Sequence, residues 1–360
     1  MNKLYFTPGP SQLYPTVEGH IKHALKDRIL SISHRGTQFQ EIFQTATENL
    51  KKLMNIPEAH QIFFLSSSTE AMEIVISNCV QNSSLHFING AFSKRFFETA
   101  LALGKQSHTL EIEWGTGFTE KLLKNQKLTA NSYQLHAFTH NETSTGVATD
   151  LNLAYELKKQ NPRTLLAVDI VSSAPLVGLD WSYVDAAFFS VQKCLGLPAG
   201  LGVLILSPRA VSPPFQGGVG GGLHTYHSLP TLHKYAAKHQ TPETPNVLGI
   251  YLLSRVAQDF LDKKLQTIRA ETKTKADILY NFFDQHPDFQ VAVTNPAWRS
   301  QTMIVINTKS DNQQLIKHLS EQGIIIGTGY GEHKQTQIRI ANYPAHTIEQ
   351  IQKLIVCLKS

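Results

Sequence analysis

The sequence predicts an α/β protein with a mainly parallel central sheet and a smaller C-terminal α/β domain. Three observations carry that expectation. Short apolar runs recur at Ile62–Leu65, Leu85–Ile88, Gln134–Phe138, Thr164–Val168, Ala186–Phe189 and Val203–Leu206. They lack the polar alternation of a half-exposed strand, which suits strands covered on both faces. Most of the intervening stretches are long enough for helices, the pattern of a doubly covered sheet. From about Asp262 the charge density rises over a long helical pattern, after which runs at Thr302–Ile306 and Gln337–Ile340 alternate with helices ending near Leu358.

Local patterns support each element in turn. Phe39, Ile42, Phe43, Ala46, Leu50, Leu53 and Met54 recur at helical spacing and predict an amphipathic helix packed on the core. The run Ile62–Leu65 breaks into Ser66-Ser-Ser-Thr69, and Glu70–Ile76 resumes a helical pattern, giving strand, polar turn and helix. The glycine run Gln216–Gly222 and the stretch Thr241–Pro245 read as loops over a surface or mouth, with 216–240 as an entrance loop. The expected division is a large domain at 16–261 and a small one at 262–360, with the segment 1–15 packing near the latter.

Composition narrows the function classes. At 360 residues and 41% hydrophobic content, the chain can bury a large core. Met1 to Pro10 has no apolar core of signal-peptide length and no later run suits a bilayer, so a cytoplasmic location without membrane contact is expected. Cys79, Cys194 and Cys357 are too scattered for a disulfide framework or a zinc site. The net charge of +5 is spread among acids rather than gathered in a basic stripe, which argues against nucleic acid as a partner. A mild positive balance still suits anionic metabolites.

Asp169 directly follows Thr164–Val168, and Lys193 follows Ala186–Gln192, so each ionisable group stands where an apolar strand stops. In a parallel sheet, ligands gather at such carboxyl ends. Pyridoxal 5′-phosphate (PLP) needs this pair, a lysine amine to bind its aldehyde carbon as a Schiff base and a carboxylate to keep its pyridine nitrogen protonated. A capping aspartate and a surface lysine would give the same spacing.

The surrounding residues reach further. The segment Val168-Asp-Ile-Val-Ser-Ser173 and, beyond it, Ser190-Val-Gln-Lys193-Cys-Leu-Gly-Leu-Pro-Ala-Gly200 closely resembles the class V aminotransferases. That resemblance implies the aspartate-aminotransferase fold (PLP fold type I), transaminase activity and a homodimer with shared active sites. It gives Lys193 a second role as proton carrier, with Gln192 beside it in the cofactor site. His140-Asn-Glu-Thr-Ser-Thr-Gly146 resembles a further signature, from which Thr143 is carried over as the hydroxyl bonding the cofactor's phenolic oxygen.

Ser67, Ser68 and Thr69 open a helix, where unpaired N–H groups favour an anion; plain N-capping is the alternative. The resemblance implies a phosphate cup there, a ring-stacking role for Phe92, and a partner-loop contact from Thr241 in Gln240-Thr241-Pro242. His224, His227, His233 and His239 lie close in sequence, but no carboxylate or cysteine accompanies them at ligand spacing, so no metal is expected. For substrate, the resemblance implies Arg339 for the α-carboxylate, a role suited to a planar guanidinium. It further implies that His34-Arg35 and His333-Lys334 reach toward the substrate's side chain.

Two branches of the family compete. The length, His34-Arg35 and His333-Lys334 favour the phosphoserine branch, although Lys334 replaces an arginine and lacks its bidentate fork. Thr7-Pro-Gly-Pro10 and Leu195–Gly202 read closer to the alanine- or serine-glyoxylate branch. The favoured expectation is a ping-pong exchange: glutamate converts Lys193-bound PLP to pyridoxamine phosphate and leaves as 2-oxoglutarate, then 3-phosphohydroxypyruvate takes the amino group. A cysteine desulfurase would need a reactive cysteine on a mobile loop, and a non-catalytic PLP-binding scaffold would be expected to lack Asp169, Lys193 or Arg339.

Overall fold

In a computed structural model, the described residues are 3–125, 133–211, 225–309 and 311–359. The glycine run Gln216–Gly222 and His224 lie outside them. The larger sheet has the strand order Gln61–Leu65, Gly202–Leu206, Ala186–Ser190, Leu165–Asp169, Leu135–Thr139, Ser83–Ile88, Gln106–Glu111. Gly202–Leu206 is antiparallel to both of its neighbours, and the remaining pairs are parallel. Two antiparallel steps return Gln61–Leu65 to the common direction. The carboxyl ends of every strand except Gly202–Leu206 therefore meet at one edge of the sheet.

Both faces of this sheet are dry. Phe64, Phe138, Val168 and Phe189 pack with the helices Thr37–Met54 and Val247–Lys263 on one side. Phe63, Ala137, Ala167 and Phe188 pack with Ser68–Cys79 and Ala91–Ala102 on the other. This double cover accounts for the unalternating apolar runs, and Phe87 and Phe138 stack at 3.8 Å within it. Gln106–Glu111 escaped the sequence reading because it is the edge strand: Leu110 alone of its side chains is buried, so no apolar run marks it.

The smaller sheet runs Leu4–Phe6, Ile324–Thr328, Gln337–Ala341, Met303–Thr308, Phe289–Val291. It has its own core, with Leu279, Phe283, Ile304, Ile306, Ile338 and Ile340 buried together. Leu4–Phe6 joins it parallel to Ile324–Thr328, and Phe6 stacks on His346 at 4.5 Å. A three-residue strand at the start of a chain leaves no periodicity to read. Helices Val247–Lys263 and Leu265–Gln285 meet at Lys264, whose φ of +68° breaks the helical path. Among the described residues, no helix is long and apolar enough to cross a membrane.

Candidate active site

The common strand edge holds a cavity of about 220 Å³ lined by Ser67, Ser68, Thr69, Phe92, Thr143, Asp169, Gln192 and Lys193, among others. Topology explains the convergence. Asp169 ends one strand, Lys193 lies just past the end of its neighbour, and Phe92 stands in the first turn of the helix after Ser83–Ile88. The Ser66–Thr69 turn follows Gln61–Leu65. Gly202 starts the intervening antiparallel strand, and a Cβ there would come 2.5 Å from the Ser67 backbone, so glycine lets the serine turn close down.

Burial sets the charges. Asp169 is 2% exposed, and burial pushes its carboxyl up to about 7. The Val171 N–H, which its Oδ1 accepts at 2.8 Å, pulls the other way; Glu142 adds to the rise, and the charges of Lys193 and Arg95 oppose it. Lys193 is 8% exposed, and burial pushes its amine down to about 8, against the pull of Asp169 and with the push of Arg339. Its Nζ donates to the Pro8 carbonyl at 3.0 Å and lies 5.6 Å from the Phe92 ring centre.

These residues fit PLP. Gln192 Oε1 and Thr139 Oγ1 are buried with no hydrogen-bond partner among the described residues. Gln192 lines the cavity beside Lys193, and Thr139, which does not line it, pairs with Asp169 across the parallel strands. Buried polar atoms left open in this way call for a polar ligand. The helix Ser68–Cys79 begins at the cavity, with Ser67 as its cap: Ser67 Oγ accepts the Glu70 N–H at 3.1 Å, and the Ser68 N–H donates to Ser190 Oγ at 3.0 Å. A helix N-terminus with flanking hydroxyls suits a phosphate. Phe92 supplies an aromatic wall, and the buried Asp169 a partner for a ring N–H.

Arg339 does not line this cavity but adjoins it through Thr143. Its Nε donates to the Thr328 carbonyl at 2.8 Å and its Nη1 to the Thr143 carbonyl at 3.4 Å. The guanidinium also lies 5.5 Å from the Tyr330 ring centre.

Other residues from the sequence reading lie elsewhere. Arg35 donates to Gln240 Oε1 at 3.1 Å and to the carbonyls of Thr241 and Pro242 at 2.6 and 2.8 Å. Thr241 and Arg35, with the adjacent His34, thus form one unit that does not line the Lys193 cavity. His333 lines a different cavity of about 590 Å³, with its ring 4.9 Å from that of Trp114, and Lys334 is exposed. His227 bonds Glu70 at 2.9 Å, and His233 bonds Gln61 at 2.9 Å. Burial pushes the Cys79 and Cys194 thiols up to about 12, the opposite of an activated cysteine.

Two functional residues escaped the sequence reading. Glu142 is fully buried and accepts the N–H groups of Phe92, Ser93 and Ser144, which ties the helix carrying Phe92 to the Thr143 turn. A Cβ on Gly90 would come 2.4 Å from Glu142 Cγ, so the glycine makes room for that carboxylate. Arg95 lines the cavity one helical turn beyond Phe92, its guanidinium 5.1 Å from the Phe92 ring centre and its Nη2 donating to Tyr330 Oη at 3.0 Å. The i, i+3 spacing of Phe92 and Arg95 was the one signal available for it.

Comparison with known proteins agrees with this geometry. The family model described as aminotransferase class-V matches residues 4–354. A phosphoserine aminotransferase of Rhodococcus opacus is 26% identical over 351 residues, covering 96% of this chain and 90% of that protein. The crystal structure of a phosphoserine aminotransferase from Cytophaga hutchinsonii superposes with a TM-score of 0.95 at 42% identity, covering 100% of this chain and 99% of that one. An alanine–glyoxylate aminotransferase from Nostoc sp. shares the fold, with a TM-score of 0.85 at 22% identity and coverage of 100% and 95%. With its α/β, mostly parallel sheet in the fold of the type I PLP-dependent aminotransferases, this chain belongs to the class V aminotransferases.

Proposed function

We propose that the protein is a PLP-dependent transaminase that exchanges amino groups between phosphoserine and 2-oxoglutarate by a ping-pong route. The observation that carries the substrate is the 42% identity to the Cytophaga hutchinsonii phosphoserine aminotransferase over the full chain, against 22% to the Nostoc alanine–glyoxylate enzyme. Bound PLP supplies an aldehyde for the amine and a ring that stores an electron pair. The chain's own residues do the rest. Lys193 Nζ, whose amine burial pushes down to about 8, serves as base at the substrate Cα. Asp169 holds the proton on the ring nitrogen, and Ser67, Ser68 and Thr69 bind the phosphate at the helix start. Phe92 flanks the ring, Thr143 and Gln192 bond its edge, and Arg339 turns its guanidinium to the α-carboxylate.

Arg35, His34 and Thr241 enter this reading through a homodimer. They form a unit away from the Lys193 cavity, as residues serving a partner's site would. Thr241 then reaches the partner's phosphate cup, and His34-Arg35 the substrate's acidic side chain. His333 and Lys334 are assigned to the same acidic end, next to Tyr330, which lines the His333 cavity and bonds Arg95 of the Lys193 cavity. We assign residues 16–261 to a cofactor-binding domain and 262–360, with 1–15, to a smaller one; the separate sheets and cores support this. A cytoplasmic location accords with a substrate pair of small metabolites.

A half-reaction screen by cofactor absorbance tests the substrate. Phosphoserine and glutamate should each convert the cofactor. A response to alanine with glyoxylate, and none to phosphoserine, overturns the assignment in favour of the glyoxylate branch.

A further inference from the structure

The motif Thr7-Pro-Gly-Pro10 has no role in the reading above. In the fold its Pro8 carbonyl oxygen accepts two hydrogen bonds, from Lys193 Nζ at 3.0 Å and from Tyr343 Oη at 2.8 Å. Tyr343 is 0% exposed. A carbonyl has two lone pairs, so both bonds can stand together. Gly9 follows with a φ of +145°, and a Cβ there would lie 3.2 Å from Lys193 Cγ and 3.4 Å from Nζ. The segment lies flush against the lysine side chain, an approach that suits glycine.

The segment is anchored away from the lysine's own sheet. Leu4–Phe6 pairs with Ile324–Thr328, His346 Nε2 bonds the Tyr5 carbonyl at 2.9 Å, and Tyr343 follows the strand Gln337–Ala341. Lys193 follows a strand of the larger sheet, yet its amine is tied to a carbonyl held by the smaller one.

We propose that the Pro8 carbonyl is the resting acceptor for the Lys193 amine whenever that amine is not attached to the cofactor, and that Tyr343 is the positioning residue that fixes this carbonyl. The proposal rests on Lys193 being the cofactor lysine. One N–H directed at Pro8 fixes the amine's rotation and so confines its lone pair, once the proton is lost, to the two remaining staggered directions. Asp169, Glu142, Arg339 and Cys194 are the other charged or titratable groups acting on that amine. The Tyr343 phenol stays a donor throughout, since burial raises its pKa well above the usual value.

Pro8-Gly9 is the sole proline–glycine step in the sequence. Isotope labelling of proline carbonyl carbon together with glycine nitrogen therefore gives one carbonyl–amide NMR correlation, reporting Pro8. With pyridoxamine phosphate bound the amine is free, and the Pro8 carbonyl signal should lie downfield of its position with PLP bound. Lys193→Ala should remove that difference. Tyr343→Phe should slow the growth of the visible attachment band, when PLP is added to cofactor-free protein, by about five-fold, the worth of one hydrogen bond. A Pro8 signal that is the same in both cofactor forms overturns the proposal. So does a Tyr343→Phe protein that attaches PLP at the wild-type rate, whether or not it melts lower. A wild-type protein with no attachment band at all would instead sink the assignment of Lys193.

Discussion

Glu142 Oε2 accepts the backbone N–H of Ser93 at 2.9 Å, which plants a buried carboxylate on the N-terminus of the helix Ala91–Ala102. The same side chain takes the Phe92 N–H and the Ser144 hydroxyl, the latter at 2.6 Å. One residue thus sets both the aromatic wall and the Thr143 turn.

Glu142→Gln should therefore lower stability by about 2 kcal/mol, because the amide turns an NH₂ toward backbone donors and loses the favourable helix-end charge. Denaturant unfolding checks the stability. A PLP titration should show weaker binding, since Phe92 and Thr143 lose their common anchor. Unchanged values in both measurements would show that Glu142 does not organise the site.

The raised Asp169 carboxyl makes a signed pH prediction for the cofactor-free protein. Its folded value, about 7, lies above the ordinary 3.8, so between these values the folded state holds more protons than the unfolded state. Its contribution to stability is fully present below about 4 and is lost as the pH rises through 7. Asp169→Asn should remove that part of the loss, so the variant gains on the wild type as the pH is raised from 4 to 8. Thermal unfolding across that range is the measurement, and a constant gap between the two proteins would contradict the assignment.

Arg339→Lys should raise KM for amino donors by about ten-fold or more with a smaller change in kcat. The ammonium keeps the charge but loses the parallel pair of bonds to a carboxylate. Steady-state kinetics with two amino donors separates this from a general loss of fold, which would lower the active fraction and leave KM unchanged.

Away from the site, Lys158 Nζ bonds Asp185 Oδ2 at 2.6 Å, with the two side chains 6% and 4% exposed. Asp185 also accepts the Leu166 N–H at 2.9 Å and the Ser207 hydroxyl at 3.1 Å. Lys158→Met should cost about 2–4 kcal/mol, since it leaves that buried carboxylate with only the longer 3.8 Å ion pair to Arg209. Pairing it with Asp185→Leu should recover part of the loss. Denaturant unfolding of the single and double variants reads both.

Much of the larger sheet was legible because its strands are covered on both sides. Ala186–Ser190 and Leu165–Asp169 are buried throughout, and their hydrophobicity marks them without any partner in view. Edge strands such as Gln106–Glu111 carry no such mark, because solvent accepts polar side chains there. Asp169, Lys193 and the serine turn could be picked out since each directly follows a visible strand. Arg95 and Glu142 stood out less, because Arg95 is held by Tyr330 and Glu142 by the Phe92 N–H, each of these partners far from its residue along the chain.

By itself the sequence determined the class of fold, the strand-end aspartate and lysine, and the family they belong to. These depend on local runs and spacings, which survive reading in one dimension. Tertiary structure decided which candidates share a cavity: it gathered Thr69, Phe92, Thr143 and Lys193, held Arg35 with Thr241 elsewhere, and laid Pro8 against the lysine. The physical reason is that strand order and burial, unlike periodicity, are fixed only when distant segments compete for the same partners and the same dry space.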